Sequence, residues 1–472
     1  MKSLMLACAC LTIITVACGT DAIEQWNARA TQPWVENPRY WQYNGEPVLL
    51  VGGSKTDHLF LADSLKDHLD EMAAIGANYV RCTMSQREDV ELKPYKLLPD
   101  GTFDLDQWNN DYWQWFSDFL NWTREREIIV QIEVWDRFDY SQSYWQHSPW
   151  RPAININYAA DEIGFDDEYP KHPGQDLQPF FHSIPGMPNY SNKLDRIRQY
   201  QETFVDKMLS YSLDFGNVLY CMNNETGTPV EWGKYWMQYI QTKAREKSRS
   251  VYTTDMFNNF FKPQECQRCQ DAIKDSGTYM FLDVSQNNSR NFGQKHWDTL
   301  QWIMNEREKY PLRPVNNTKI YGGGHKSFGT GSNADGVARL IRNILGGCAS
   351  GRHHRPTSGA GLNDAAKASI KAIRAAEQYV KFWDVTPRMD LLEERGEDEA
   401  YITAQPGVAY VVFFPAGGDV TLNLTGHVGV YTERWISVAD GTEKTAYDVQ
   451  DGGKYRLTTQ DNSGWIVVIV KG

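Results

Sequence analysis

The sequence lacks an excess of basic charge. Its 472 residues carry 48 Lys and Arg against 60 Asp and Glu, a formal net charge of −12. A general nucleic-acid binder carries a basic footprint, so that class is excluded. It also lacks a long apolar run after residue 17. No later stretch approaches the roughly 18 consecutive apolar residues of a membrane helix. His-Glu-x-x-His, Gly-x-Ser-x-Gly and a Gly-rich loop ending in Lys-Ser/Thr are absent. Zinc-protease, serine-hydrolase and phosphate-loop chemistry therefore have no motif to carry them. Cysteine is sparse, eight in all. Cys8 and Cys10 lie in the apolar leader and Cys18 closes it, which leaves Cys82, Cys221, Cys266, Cys269 and Cys348. An odd remainder in an exported chain implies at least one free thiol. Cys266-x-x-Cys269 has no second Cys or His pair nearby, so a local disulfide or two free thiols is expected rather than zinc.

Aromatic residues are abundant: 17 Trp, 25 Tyr and 19 Phe. With 41% hydrophobic and 23% charged residues, a disordered or collagen-like chain is excluded. Tryptophan suits sugar rings and interfaces, and a Trp-rich core is the alternative use. Residues 1–18 read as an export signal, with Lys2 before the apolar run at 4–17. Thr15-Val16-Ala17-Cys18 resembles a bacterial lipoprotein box, with Thr where Leu is usual. A lipid anchor at Cys18 is expected, with plain secretion as the alternative. Either way the chain is exported, to the periplasm, the outer membrane surface or the medium.

Asn44-Gly45 is a strong hairpin signal. Beyond it, apolar strand-like runs occur at 48–52, 79–84, 128–134, 218–222, 251–256, 280–284 and 319–321, with a weaker eighth near 349–352. Between them, three- and four-residue apolar spacing predicts helices at 64–75, 112–124, 194–213, 230–244, 297–306, 336–345 and 365–383. Asp63 and Asp364 are the expected N-caps of the first and last. This alternation predicts an α/β (β/α)8 barrel over 36–386. A doubly wound sheet is the runner-up, disfavoured because no Gly-rich loop follows the first strand. Residues 387–472 are short alternating runs between Gly and Asn/Asp turns, which predicts an all-β sandwich. The long insertion at 139–192 is rich in Pro and aromatics and should lie over the active face.

In such a barrel, chemistry sits where strands end. The fourth strand runs from Val218 into Asn223-Asn224-Glu225. A carboxyl there can protonate a glycosidic oxygen, and an adjacent Asn can bind a sugar hydroxyl. Asn224-Glu225 resembles the acid/base signature of glycoside hydrolase clan A. Asn44-Gly45-Glu46-Pro47-Val48 resembles the opening of bacterial apiosidase-like barrels, and the run Trp435–Gly441 resembles their C-terminal sandwich, often labelled collagen-binding. The resemblance implies a carbohydrate-active enzyme with Glu225 as general acid and Arg81 supporting a catalytic carboxylate. One departure stands out. Where the clan places its nucleophilic Glu, at the seventh strand, this chain has Lys319.

Three readings follow. An inverting hydrolase would pair Glu225 with a second mouth carboxylate, chosen from Asp136, Glu133, Asp255 and Asp283. A lyase would use Lys319, a Tyr or a His as base on a uronic glycan. A surface glycan-binding protein would have lost catalysis. Trp135 is the expected sugar platform, with Asn224 and Arg81 orienting substrate. Strand ends also carry Lys55, Asp57, His58, Arg87, Lys319, His325, Lys326, Arg352, His353, His354 and Arg355. Local positive charge in an acidic protein points to a uronate- or sulfate-bearing polysaccharide, or its oligosaccharides, as partner. No cofactor is implied. Adjacent His353 and His354 cannot easily face one ion together with His325, so no metal is expected.

Overall fold

The computed structural model describes residues 23–84, 92–174, 178–324 and 330–472. The export signal, Cys18, Arg87, His325 and Lys326 lie outside the described residues. Eight parallel strands form the barrel: β1 (Leu50–Gly53), β2 (Tyr79–Thr83), β3 (Ile129–Asp136), β4 (Val218–Asn224), β5 (Thr253–Thr254), β6 (Leu282–Asp283), β7 (Val315–Asn316) and β8 (Ser350–His353). Ladders join β2 to β3, β3 to β4, β4 to β5, β6 to β7, and β8 to β1. Backbone hydrogen bonds close the other seams. The Asn78 amide donates to Val51, that of Met280 to Thr253, and that of Ala349 to Val315. Gly52 is required at the first of these seams, because a Cβ there would lie 1.9 Å from the Tyr79 carbonyl.

Among the described residues, eight longer helices wrap the barrel: α1 (Leu65–Ala74), α2 (Asn110–Glu125), α3 (Asp195–Ser212), α4 (Val230–Glu246), α5 (Gln267–Lys274), α6 (Gly293–Arg307), α7 (Asn333–Leu345) and α8 (Asp364–Glu377). Four differences from the sequence reading have physical causes. The N-cap of α1 is Ser64, not Asp63, and that of α8 is Asn363, whose side chain accepts from the Ala366 amide. The eighth helix, α5, is a short one read as a polar loop. Its start carries the Cys266–Cys269 disulfide, while Cys82, Cys221 and Cys348 are free and buried. The seventh strand is Val315–Asn316 rather than 319–321, so Lys319 lies beyond its end.

The insertion at 139–192 does not spread its aromatics over the mouth. Trp145, Trp150, Phe180 and Phe181 are buried, packing as a small core against Trp135 and Trp232. The Asn44-Gly45 turn forms as expected, with φ of 54° and 86°. Its strand carries Trp41, which closes one end of the barrel by donating its indole N–H to Asn316.

The C-terminal strands are β9 (Thr386–Pro387), β10 (Leu392–Glu393), β11 (Tyr401–Gln405), β12 (Ala409–Phe414), β13 (Asp419–Asn423), β14 (Gly429–Ser437), β15 (Glu443–Asp451), β16 (Lys454–Thr458) and β17 (Trp465–Lys471). One sheet has the order β9-β11-β12-β17-β14-β15 and the other β10-β13-β16. Their inner faces share a core of Ile402, Val412, Leu422, Trp435 and Val467. Strand β15 is a polar edge strand, Glu-Lys-Thr-Ala-Tyr-Asp at its start.

Candidate active site

Strand β4 ends in Asn223 and Asn224, and Glu225 follows with φ of +50°. A left-handed non-glycine residue at a strand end is uncommon and tends to occur at functional sites. It turns the carboxylate across the barrel to the loop after β7. There the Lys319 ammonium donates to Glu225 Oε1 at 2.7 Å and also to Asn224 Oδ1. The Tyr321 hydroxyl donates to the same carboxylate oxygen at 3.0 Å and accepts from Gln286 at 3.1 Å. Asn224 is fixed from its other side, donating to Asp136 Oδ2 at 2.9 Å. One chain of contacts thus runs from Asp136 through Asn224 and Lys319 to Glu225.

This environment sets the protonation of Glu225. Burial alone raises a carboxyl pKa, but Lys319 beside it, with help from Arg137 and Tyr321, brings it down to about 2. The group is therefore ionised at neutral pH. That direction runs against what a general acid needs in the sugar-free protein, since a general acid must start with its proton. Tyr321 moves the opposite way, held protonated by burial and by the Glu225 charge.

The other carboxylates are sealed in. Glu225 keeps 21% of its side chain exposed, whereas Asp57 and Glu133 keep 2% and 0%. Arg81 lies between those two, with Nη1 2.5 Å from Asp57 and Nε and Nη2 paired with Glu133. Asp57 also meets Arg355 at 2.9 Å, with Arg352 and His354 close by, and against burial this surround, Arg81 foremost, holds it well below the usual carboxylate range. Burial leaves Glu133 shifted upward in spite of Arg81. Asp283 is not a mouth residue. Ser285, Thr318 and Gln131 occupy both its oxygens inside the barrel. Asp136 is at the strand end as expected but is buried, and the space beside it and Trp135 is only about 10 Å³.

Several expected substrate contacts take other places. Trp135 is buried among Trp150, Phe180, Phe204, Trp232 and Trp236, with ring centroids 5.3–6.4 Å away, so it offers no face to a sugar. Strict alternation fails here: Glu133 meets Arg81, while Trp135 turns to α3 and α4. Lys55 pairs with Glu71 of α1. His58 bonds Thr83 at 3.0 Å. His353 bonds Ser369 of α8 at 3.0 Å, behind the barrel wall. Arg352 is buried, donating to Thr318 and Ser54. The residues sequence reasoning passed over are Tyr321, Gln286 and Arg137. The Tyr321-Gly322-Gly323-Gly324 run was the available signal. At Gly323 (φ +84°) a Cβ would lie 2.2 Å from the Gly359 carbonyl, so the backbone there needs glycine.

Asp255 serves the scaffold. Its carboxylate accepts from the Met256 and Asn223 amides and the Thr226 hydroxyl, beneath Gly233 of α4. Burial raises its pKa from 3.8 to about 7. A raised folded pKa makes this group's contribution greatest when it is protonated, and the contribution is lost as pH rises from about 4 through about 7. The thermal midpoint of Asp255→Asn should therefore gain on wild type as pH rises across that window. A constant difference from pH 4 to pH 8 would contradict the assignment.

No family model and no curated protein matches the chain. Solved structures do. A glycoside hydrolase family 5 structure from Bacteroides vulgatus superposes with a TM-score of 0.63 at 12% identity, over 95% of this chain and 94% of that one. A second glycoside hydrolase gives 0.60 at 10% identity, over 95% and 98%. An alpha-amylase from Geobacillus thermoleovorans, complexed with acarbose, gives 0.55 at 9% identity, over 90% and 98%. The chain therefore has the (β/α)8 fold of these enzymes with a C-terminal β domain, at identities that speak to fold alone.

Proposed function

We propose that the protein is a glycoside hydrolase that acts on a polysaccharide or its oligosaccharides at the barrel mouth, with Glu225 as the reacting carboxylate. The observation that carries this is the contrast at the mouth. Glu225 is partly exposed and held by two oriented side chains, Lys319 and Tyr321, while Asp57, Glu133 and Asp136 are enclosed. Glu225 enters the reaction ionised, as a base or nucleophile. Lys319 and Tyr321 orient it, and Asp136 acts through Asn224 to hold that framework.

An acidic substituent on the glycan remains part of the proposal, on narrower grounds than the sequence offered. Arg81 and Arg352 are committed inside the barrel. Arg137 and Arg355 keep partial exposure and flank Glu225 and Asp57 respectively. Guanidinium groups so placed suit a carboxylate or sulfate. Export and a lipid anchor at Cys18 remain expectations of the N-terminal sequence.

A second reading, glycan binding without turnover, is favoured by one fact. The Lys319 ammonium already neutralises the solvent-open carboxylate. The test incubates the purified protein with matched neutral, uronic and sulfated glycans. New reducing ends support the hydrolase, and absorbance at about 235 nm would indicate a lyase product. Binding with neither signal favours the second reading.

A further inference from the structure

The outer wall of the barrel carries a second cleft, between the start of α1 and the exposed side of α2. It encloses about 300 Å³, and its rim includes Trp115, Trp122, Asp118, Asp63, Ser64 and Lys66. Trp115, Asp118 and Trp122 are spaced i, i+3, i+7, so one face of α2 presents both indoles with a carboxylate between them. That face is not the core face. Tyr112, Trp113, Phe116, Phe119 and Leu120 already supply the buried stripe of α2. Trp115 is 42% exposed. The floor is firm, because buried Phe60 packs edge-on against Tyr112 and Phe116 at 5.1 and 5.4 Å. Ser64, at φ +57°, shapes the wall.

Two indole faces over an apolar floor suit the C–H face of a pyranose, and the polar rim suits its hydroxyls. The charge selects the kind of sugar. Asp63 and Asp118 outweigh Lys66, so a carboxylate or sulfate is repelled and a neutral ring is admitted. We propose that this cleft is a second glycan-binding site. A neutral sugar unit stacks on Trp115 and Trp122, donates hydroxyls to Asp63 and Asp118, and accepts from Lys66. The cleft lies outside the barrel and shares no residue with the Glu225 network, so the proposal goes beyond the hydrolase reading. Phe60 of the cleft follows closely in the chain on Asp57, the buried partner of Arg81.

The test titrates full-length protein with maltohexaose, cellohexaose and xylohexaose, with hexagalacturonate as the anionic control. Binding is followed through the indole N–H resonances. Trp115→Ala and Trp122→Ala assign the two signals, with Trp122→Phe beside the second because Trp122 packs partly against the core. The expected result is that at least one neutral hexasaccharide shifts both resonances. Affinity should fall at least tenfold in Trp115→Ala and be unchanged in Glu225→Gln. Hexagalacturonate should leave the signals in place. If no neutral probe moves the two resonances at millimolar concentration, or hexagalacturonate moves them more, the proposal is overturned. Because Glu225→Gln retains this binding, a failure at the mouth and a failure at the cleft are separable.

Discussion

Replacing Arg81 by Met should destabilise the barrel by about 3–5 kcal/mol, the usual result of stranding buried charge. Arg81 is fully buried and holds Asp57 on one side and Glu133 on the other. Without it Glu133 loses its direct cation, while Asp57 keeps Arg355 at 2.9 Å. The penalty should depend on pH. Glu133 is already shifted upward by burial and would rise further without the guanidinium. A carboxyl with a raised folded pKa is least harmful when protonated. The loss should therefore be largest at neutral pH and shrink as the solution is acidified. Adding Glu133→Gln to the variant should recover part of the stability. Urea unfolding at pH 5 and pH 7.5 measures both effects. A loss below about 1 kcal/mol at pH 7.5 would mean that the enclosed ions are solvated.

Replacing Glu225 by Gln should lower turnover by about 10²–10⁴-fold. The amide keeps the shape and can accept from Lys319 and Tyr321, but it cannot take a proton or attack a sugar carbon. Lys319 retains Asn224 Oδ1 as a partner. The fold should survive with a loss of about 1–3 kcal/mol. Reducing-end release and the far-UV spectrum, measured together, separate chemistry from unfolding.

The barrel was legible because its helices have clear three- and four-residue apolar spacing and its strands are apolar runs of the right length. The seventh strand was not, because Val315-Asn316 is followed by polar residues that fill the mouth, so no apolar run marks it. Asn224-Glu225 could be found from its place at a strand end. Its charge state could not, because that depends on Lys319, 94 positions away in the chain. The cationic strand ends misled for the same reason. Lys55 and His353 stand as strand-end cations in a sequence, whereas each has a partner that only the fold brings near. Trp135 shows the limit of strand periodicity. Alternation assigns faces within a ladder but fails where β3 ends and the aromatic cluster of the insertion captures the ring.

The most direct measurement is the pH dependence of kcat/KM for the wild type and for Lys319→Met on a glycan the protein cleaves. Glu225 titrates at about 2, so the wild-type rate should hold from pH 4 to pH 7 with no loss assigned to this carboxylate. Removing the ammonium leaves burial to raise the carboxyl, so the acid limb of Lys319→Met should move upward into the range above pH 4. A wild-type rate that instead falls as pH rises through that range would show that the essential carboxyl must be protonated, and would contradict Glu225 as the ionised reacting group.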